Sequence, residues 1–347
     1  MADALEVAMA FMQAGRFADA DMICRDALKS NPRNSQALCV LATSANARKE
    51  HRQALELLEK IRIPGVAAAH VERSVAHLGL GAREMAFREA RLAVETSPDV
   101  PGGYWLVANI LMPGDPYYKM LQRFHEHLRP RSYLEIGVDQ GASIKLANPP
   151  TIAVGIDPEP RMKEAPKTIC KIFPLRSSDY FARRDVRRDL EADVIDLAFI
   201  DGLHTFDQVL RDFINIEKFA HERTIVLVHD CIAVDGLTAE RERKTAFWTG
   251  DVWKFIPVLR EYRPDLSVFT VAAPPSGLGV VSGLDPRSTV LAARFDEIVA
   301  RYERMPVDPD PVRRREQAAA ISNTWHDVEA RLARAPAFVD TAMQPVV

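Results

Sequence analysis

In the first hundred positions apolar side chains return every three or four residues, as in MADALEVAMAFMQAG, with Ala, Arg and Glu between them. That spacing lays one apolar stripe along a helix and predicts an all-helical segment. After residue 117 the pattern changes. Short apolar runs at 133–136, 152–156, 169–173, 194–200 and 225–228 alternate with helical patterns, notably 117–128, 206–219 and 252–262. Strands alternating with helices predict a parallel, doubly wound α/β sheet. Two more apolar runs, 267–272 and 279–281, are separated by a turn at 274–277, short enough only for an antiparallel hairpin. After Pro286, helical patterns over 288–304 and 311–334 close the chain, and 335–347 reads as a frayed tail.

The helical segment also repeats. Gly15, Phe17, Ala20, Ala27 and Pro32 recur as Gly81, Arg83, Ala86, Ala93 and Pro98. A middle copy with Lys49, His51, Ala54 and Ile61 stops early at Pro64. Small alanines allow close helix contact, a glycine opens the turn, and a proline stops the second helix. Over residues 1–100 this resembles the tetratricopeptide repeat, which implies a solenoid and a protein partner docked on it. A bundle that only pads the rest is the bland alternative. Residues 101–116, bearing Pro and Gly, form a joint with one short helix around 104–111. Residues 117–285 form the α/β domain and 286–347 a helical extension.

Composition narrows the function. The chain has 347 residues, 47% hydrophobic and 27% charged, with a formal net charge of −3. Near-neutral charge argues against a nucleic-acid or membrane-surface binder. No apolar run is long enough for a transmembrane helix. The start lacks a basic leader, and Cys24, Cys39, Cys170 and Cys231 have no paired spacing. Together these predict a cytoplasmic protein with reduced cysteines. The oligomeric state is not encoded in any pattern here.

Four segments carry the chemistry: LEIGVDQG at 134–141, VGID at 154–157, FIDGLH at 199–204 and VLVHD at 226–230. Each is an apolar run ending in a carboxylate or a glycine turn, and ligands of open parallel sheets bind outside the carboxyl ends of the strands. Gly137 and Gly141 allow a sharp turn close to a ligand. Asp157 ends the next strand, where a carboxylate can accept both ribose hydroxyls. The G-x-G-x-x-G spacing of a nicotinamide dinucleotide site is absent. Glu135 and Asp139 would place negative charge where phosphates sit, so a cationic, phosphate-free cofactor fits better.

Over residues 117–285 the chain resembles class I S-adenosylmethionine-dependent methyltransferases, through Glu135, Gly137, Gly141, Asp157, Asp201 and the late hairpin at Ser276 and Gly277. The resemblance implies a Rossmann-like methyltransferase sheet with an antiparallel last strand and S-adenosylmethionine as cofactor. It places Gly137 and Gly141 at the methionine part, Asp157 at the ribose, Ser178 and Asp179 near the adenine, and Glu135 among the cofactor-binding residues. For Ser178 and Asp179 a helix cap is an equal alternative.

Asp201, His204, His229 and Asp230 end two neighbouring strands. Carboxylates that close repel unless a proton or cation separates them. Asp201, His229 and Asp230 are therefore candidate ligands of Mg²⁺ or another divalent cation, and His204, with Asp201, is the candidate catalytic pair. His204 would act as the base that takes an acceptor's proton, with a pH limb near the ordinary histidine value of about 6.5. The set is similar to metal-dependent O-methyltransferases of the catechol and macrolide-sugar type, although a histidine stands first in the 229–230 pair. That resemblance implies a hydroxyl acceptor on a small molecule or glycan. The long segment 231–251, with Arg241, Arg243, Lys244 and Trp248, and Trp253 beyond it, would suit a lid over a polar or anionic acceptor; a solvated loop is the alternative. Two other readings stand beside the O-methyltransferase: a metal-independent enzyme acting on a protein held by the repeats, and an adaptor with a degenerate cofactor domain.

Overall fold

A computed structural model describes residues 2–332, with side chains from residue 4. The expected tail at 335–347, and the end of the last expected helix, lie outside the described residues. The chain divides into two compact units, residues 1–111 with 245–247, and residues 112–244 with 248–347.

The first unit is a tetratricopeptide-like solenoid of helix pairs: α1 (Ala2–Gln13) with α2 (Phe17–Ser30), α3 (Ser35–Ala47) with α4 (His51–Leu58), and α5 (Ala67–Gly79) with α6 (Arg83–Thr96). A single helix, α7 (Gly103–Leu111), follows and packs on α5 and α6. Each helix packs on its neighbours in sequence, and alternate helices α1, α3, α5 and α7 also touch. Ala20, Ala54, Ala86 and Ala93 are fully buried, as close helix contact demands. The turns within the pairs place Gly15, Lys49 and Gly81 at φ 72°, 64° and 76°. Lys49 thus occupies the left-handed position that glycine takes in the other two copies, which is why the middle repeat reads poorly.

The second unit begins with α8 (Tyr117–Leu128). Strands β1 (Ser132–Ile136), β2 (Ile152–Ile156) and β3 (Ile169–Phe173) follow, then α9 (Ser177–Arg183) and α10 (Val186–Leu190). Next come β4 (Leu197–Ile200), α11 (Phe206–Glu217), β5 (Ile225–Val228), α12 (Phe255–Tyr262), β6 (Ser267–Val271) and β7 (Leu278–Ser282). The chain goes on through α13 (Val290–Ala293), α14 (Phe295–Tyr302), α15 (Pro311–Gln317), β8 (Ala320–Ile321) and α16 (Trp325–Leu332).

The strand order is β3-β2-β1-β4-β5-β7-β6-β8. β1 to β5 run parallel, and β7 enters antiparallel between β5 and β6. Alternate strand residues serve opposite faces. Leu134, Val154, Ala198 and Val226 join a core built with α11, α12 and α14. Tyr133, Ala153, Leu197 and Leu227 join another with α8 and α16. Burial on both faces is what a doubly wound sheet requires. The pattern over 311–334 misled in one respect: instead of one helix, Ala319 turns left-handed at φ 48° and Ala320–Ile321 pairs with β6. An unfilled sheet edge took residues whose local spacing suits a helix.

Candidate active site

The residues just past the strand ends continue the sheet by one step. Gly137 N–H donates to Ile156 O at 2.9 Å, Asp201 N–H to Ile136 O at 2.8 Å, and His229 N–H to Ile200 O at 3.0 Å. Asp157 N–H donates to Phe173 O at 3.2 Å. One row at the carboxyl edge of the sheet therefore carries Asp157, Gly137, Asp201 and His229 in spatial order.

Gly137 has φ 90°, and a Cβ there would lie 1.9 Å from Asp201 O. The glycine is required because the loop after β1 runs directly against the backbone after β4. Gly141, at φ 76°, closes that loop, and its own Cβ would meet the Met162 side chain at 2.9 Å. Asp157 Oδ2 accepts from Val138 N–H and Asp139 N–H, both at 2.9 Å, and its Oδ1 from Glu159 N–H at 2.7 Å. The carboxylate thus holds the glycine loop in shape from the neighbouring strand. Ser178 and Asp179 stand in the first turn of α9, with Asp179 3.0 Å from Arg183. Neither caps the helix, since the cap position is Arg176 and lacks a side-chain bond.

Two expectations about this loop need correction. Glu135 is fully buried; it accepts from Tyr133 Oη at 2.5 Å and Ser143 Oγ at 2.6 Å. Burial raises its carboxyl to about 8 against the lowering effect of those two hydrogen bonds. It is a floor under the loop and not a surface ligand. Asp139, for its part, is paired with the Arg161 guanidinium, whose Nε lies 2.9 Å away. The loop is therefore not a concentration of free negative charge, because one acid is sunk beneath it and the other is neutralised. What disfavours a pyrophosphate is the glycine spacing together with buried Val138 filling the turn.

Beside the loop lies the acid–imidazole cluster. Atoms of Asp201, His229 and Asp230 that could ligate a cation all fall within 4.8 Å of one another. His229 Nδ1 is 3.2 Å from Asp201 Oδ1 and 3.4 Å from Asp230 Oδ1. Ser276, in the turn between β6 and β7, donates to Asp230 Oδ1, so its oxygen is left to accept from His229 Nε2 at 3.2 Å. In that arrangement the His229 Nε2 proton points at Ser276 Oγ, and Nδ1 faces the two carboxylates. Burial alone would lower the His229 pKa, but Asp230 and Asp201 outweigh it and raise it. Burial likewise works to raise Asp230, and His229 and His204 pull it below the usual carboxylate value. The two acids favour positive charge between them, which a proton on His229 supplies and a divalent cation could supply. Ligands around one cation at about 2.0–2.6 Å stand roughly 3–5 Å apart, so the spacing fits. Two carboxylates and an imidazole suit Mn²⁺ and related ions as well as Mg²⁺.

His204 joins the same cluster. Its Nδ1 lies 2.6 Å from Asp230 Oδ2, an ion-pair contact without well-aligned hydrogen-bond geometry, and its Nε2 is 3.6 Å from Asp201 Oδ1. Burial would lower its pKa; the Asp230 and Asp201 charges prevail and raise it to about 9. The expected pH limb near 6.5 is thereby corrected: with its acids unneutralised, His204 is an imidazolium at neutral pH. Two cations of the segment 231–251 stand in ion pairs. Arg241 pairs with Asp207 at 2.7 Å, and Lys244 pairs with Glu240. Trp253 is buried, while Trp248 stacks on His204 with centroids 5.3 Å apart.

Three contributors escaped the sequence reading. Tyr117 stacks on His229 at 3.9 Å between centroids, and its hydroxyl pKa is pushed far up, by burial first and then by Asp201. Tyr118 stands beside it, half-exposed, near Asp201 and Asp139. Ser276 was noted only as a hairpin residue. The sole signal for the tyrosines was the pair itself at the start of a helix after Pro116.

The sheet order, the inserted antiparallel β7 and the site at the carboxyl edge define the class I methyltransferase architecture. Residues 134–231 match the sequence profile of a family described as a methyltransferase domain. No curated protein matches the chain. Among solved structures, a MamA double mutant is 19% identical, with a TM-score of 0.27, over 31% of this chain and 61% of that one. MamA from Desulfovibrio magneticus RS-1 is also 19% identical, with a TM-score of 0.28, over 31% of this chain and 62% of that one. The O-methyltransferase TomG from Streptomyces achromogenes, involved in tomaymycin synthesis and in complex with S-adenosylmethionine, is 17% identical. There the likeness covers 57% of this chain and 89% of TomG, with a TM-score of 0.38. The chain thus spans about three-fifths of the MamA structures. Likenesses this distant carry no residue-level argument.

Proposed function

We propose that this protein transfers a methyl group from S-adenosylmethionine to a hydroxyl, with a divalent cation held by Asp201, His229 and Asp230. The observation that carries the reading is the convergence of those three residues and His204 beside the Gly137 loop. The methyltransferase-domain match supports the cofactor. When bound, S-adenosylmethionine supplies a methyl on its sulfonium, and the cation makes an adjacent hydroxyl more acidic.

The chain's own residues do the rest. Gly137 and Gly141 shape the cradle, and Asp157 holds its backbone while facing the ribose position. Ser178 and Asp179 are assigned to the adenine side. Asp230 faces His204 Nδ1 and leaves Nε2 to take the acceptor's proton, the arrangement by which a carboxylate orients an imidazole base. A cation held by Asp201, His229 and Asp230 would offset the carboxylate charge that keeps His204 protonated, and so would free Nε2 to act as that base. The acceptor is taken to be a small molecule with a hydroxyl on a sugar or glycosylated scaffold, supported by the resemblance to sugar O-methyltransferases at 201–204 and 229–230. The repeats, residues 1–100, are assigned to a protein partner, and residues 117–285 to catalysis.

Calorimetry with S-adenosylhomocysteine and turnover against a panel of hydroxylated acceptors test the reading. Chelation is expected to abolish turnover, with Mg²⁺ or Mn²⁺ restoring it. Asp201→Asn and Asp230→Asn should each remove activity while keeping S-adenosylhomocysteine binding. Full turnover in chelator would refute the cation.

A further inference from the structure

His204 has a left-handed backbone, φ 58°. A residue other than glycine stays there only when its surroundings hold it. The segment 248–251 does so from three sides. The Trp248 indole stacks on the imidazole, with planes 16° apart, and is itself anchored by Nε1 donating to Glu240 O at 2.7 Å. Gly250, at φ 61°, lies so near that a Cβ would stand 1.8 Å from His204 O. Asp251, 1% exposed, accepts from Phe206 N–H at 2.8 Å and so caps α11 two residues after His204. The local cap residue, Thr205, makes no such bond.

The segment is fastened in turn. Thr249 N–H donates to Thr238 O at 2.9 Å, and Asp251 Oδ2 accepts from buried Lys254 at 3.1 Å. Lys254 also donates to Glu303 O at 2.8 Å. These contacts grip the ring, the carbonyl and the following helix of one residue.

We propose that residues 248–251 form a clamp that positions His204 for proton transfer, with Trp248 and Asp251 as positioning residues. Asp230 at Nδ1 and Asp201, 3.6 Å from Nε2, hold the ring only by its edge and leave the tilt of its plane unset. The indole face removes that freedom, and Asp251 keeps the left-handed turn from relaxing into α11. The inference rests on the reading of His204 as the base.

The test uses the full chain with ¹³C-labelled histidine, the His204 signal being assigned by its loss in His204→Gln. Trp248→Ala should move and broaden that signal, because the ring current and the stack are both lost. Its kcat should fall about tenfold or more, less than the 10²–10⁴ that a general base is worth. The KM for S-adenosylmethionine should stay within about twofold, the mark of an effect on the chemical step. Trp248→Phe should restore both signal and rate. Asp251→Asn, which keeps an acceptor for Phe206 N–H, should retain most activity where Asp251→Ala does not. An unmoved His204 signal in Trp248→Ala overturns the clamp. So does a moved signal with unchanged kcat. Failure of the base assignment would show separately, as full turnover in His204→Ala.

Discussion

One methyl group at Gly137 would separate the two halves of the site. Its Cβ would lie 1.9 Å from Asp201 O at a backbone angle that favours glycine. Gly137→Ala should therefore destabilise the domain by more than about 1 kcal/mol, and should weaken both S-adenosylhomocysteine and cation binding; a thermal melt with calorimetry checks it. Ser276 acts on one side only. Its hydroxyl bridges Asp230 and His229 Nε2 and orients the ring. Losing such an outer partner costs about 10–100-fold in metal affinity. Ser276→Ala should show that loss for Mn²⁺ with S-adenosylhomocysteine affinity unchanged. The glycine loop and the two acids were legible in the sequence, since strands ending in Gly or Asp announce themselves. Ser276 and Tyr117 were not, because hairpin and helix residues reach this edge only through folding. Glu135 was misjudged because the alternation of a strand does not tell which buried acid finds hydroxyl partners.

Among the elements, the repeat turns show how one backbone need overrides residue type. Gly15 and Gly81 take a left-handed turn at little cost, whereas Lys49 takes the same turn at φ 64° against a penalty of about 1–2 kcal/mol. Lys49→Gly should raise the melting temperature of the helical unit, partly offset by the greater freedom glycine has when unfolded. Differential scanning calorimetry decides this, and a fall in melting temperature would remove the account of the middle copy. Strand β8 makes the opposite point. Residues 320–321 are held by pairing with Thr270 and Val271, a partner 50 positions away that no local periodicity contains.

The stability of the whole molecule carries a signature of its buried charges. His125 lies in the interior edge-on to Tyr133, with neither ring nitrogen hydrogen-bonded. Burial lowers its pKa to about 4. The unfolded chain takes up that proton near 6.5, so this contribution is full above 6.5 and is lost as pH falls toward 4. Asp212 runs the other way: burial raises it to about 6, and its contribution, full below 3.8, is lost as pH rises through 6. His125→Phe should become more stable relative to the parent as pH drops from 6.5 to 4, measured by denaturant unfolding at several pH values; a constant difference would contradict the assignment.

By itself the sequence determined a repeating helical segment, a parallel sheet with a late hairpin, and the residue types at the strand ends. Those follow from periodicity and turn chemistry, which act over a few residues. Only the tertiary structure decided that Asp157 braces the glycine loop, that Glu135 lies beneath it, and that His204 sits against Asp230 and the Trp248 indole. Hydrogen-bond partners and the charge of a buried group depend on what packs against it, and here those partners come from elements dozens of positions apart.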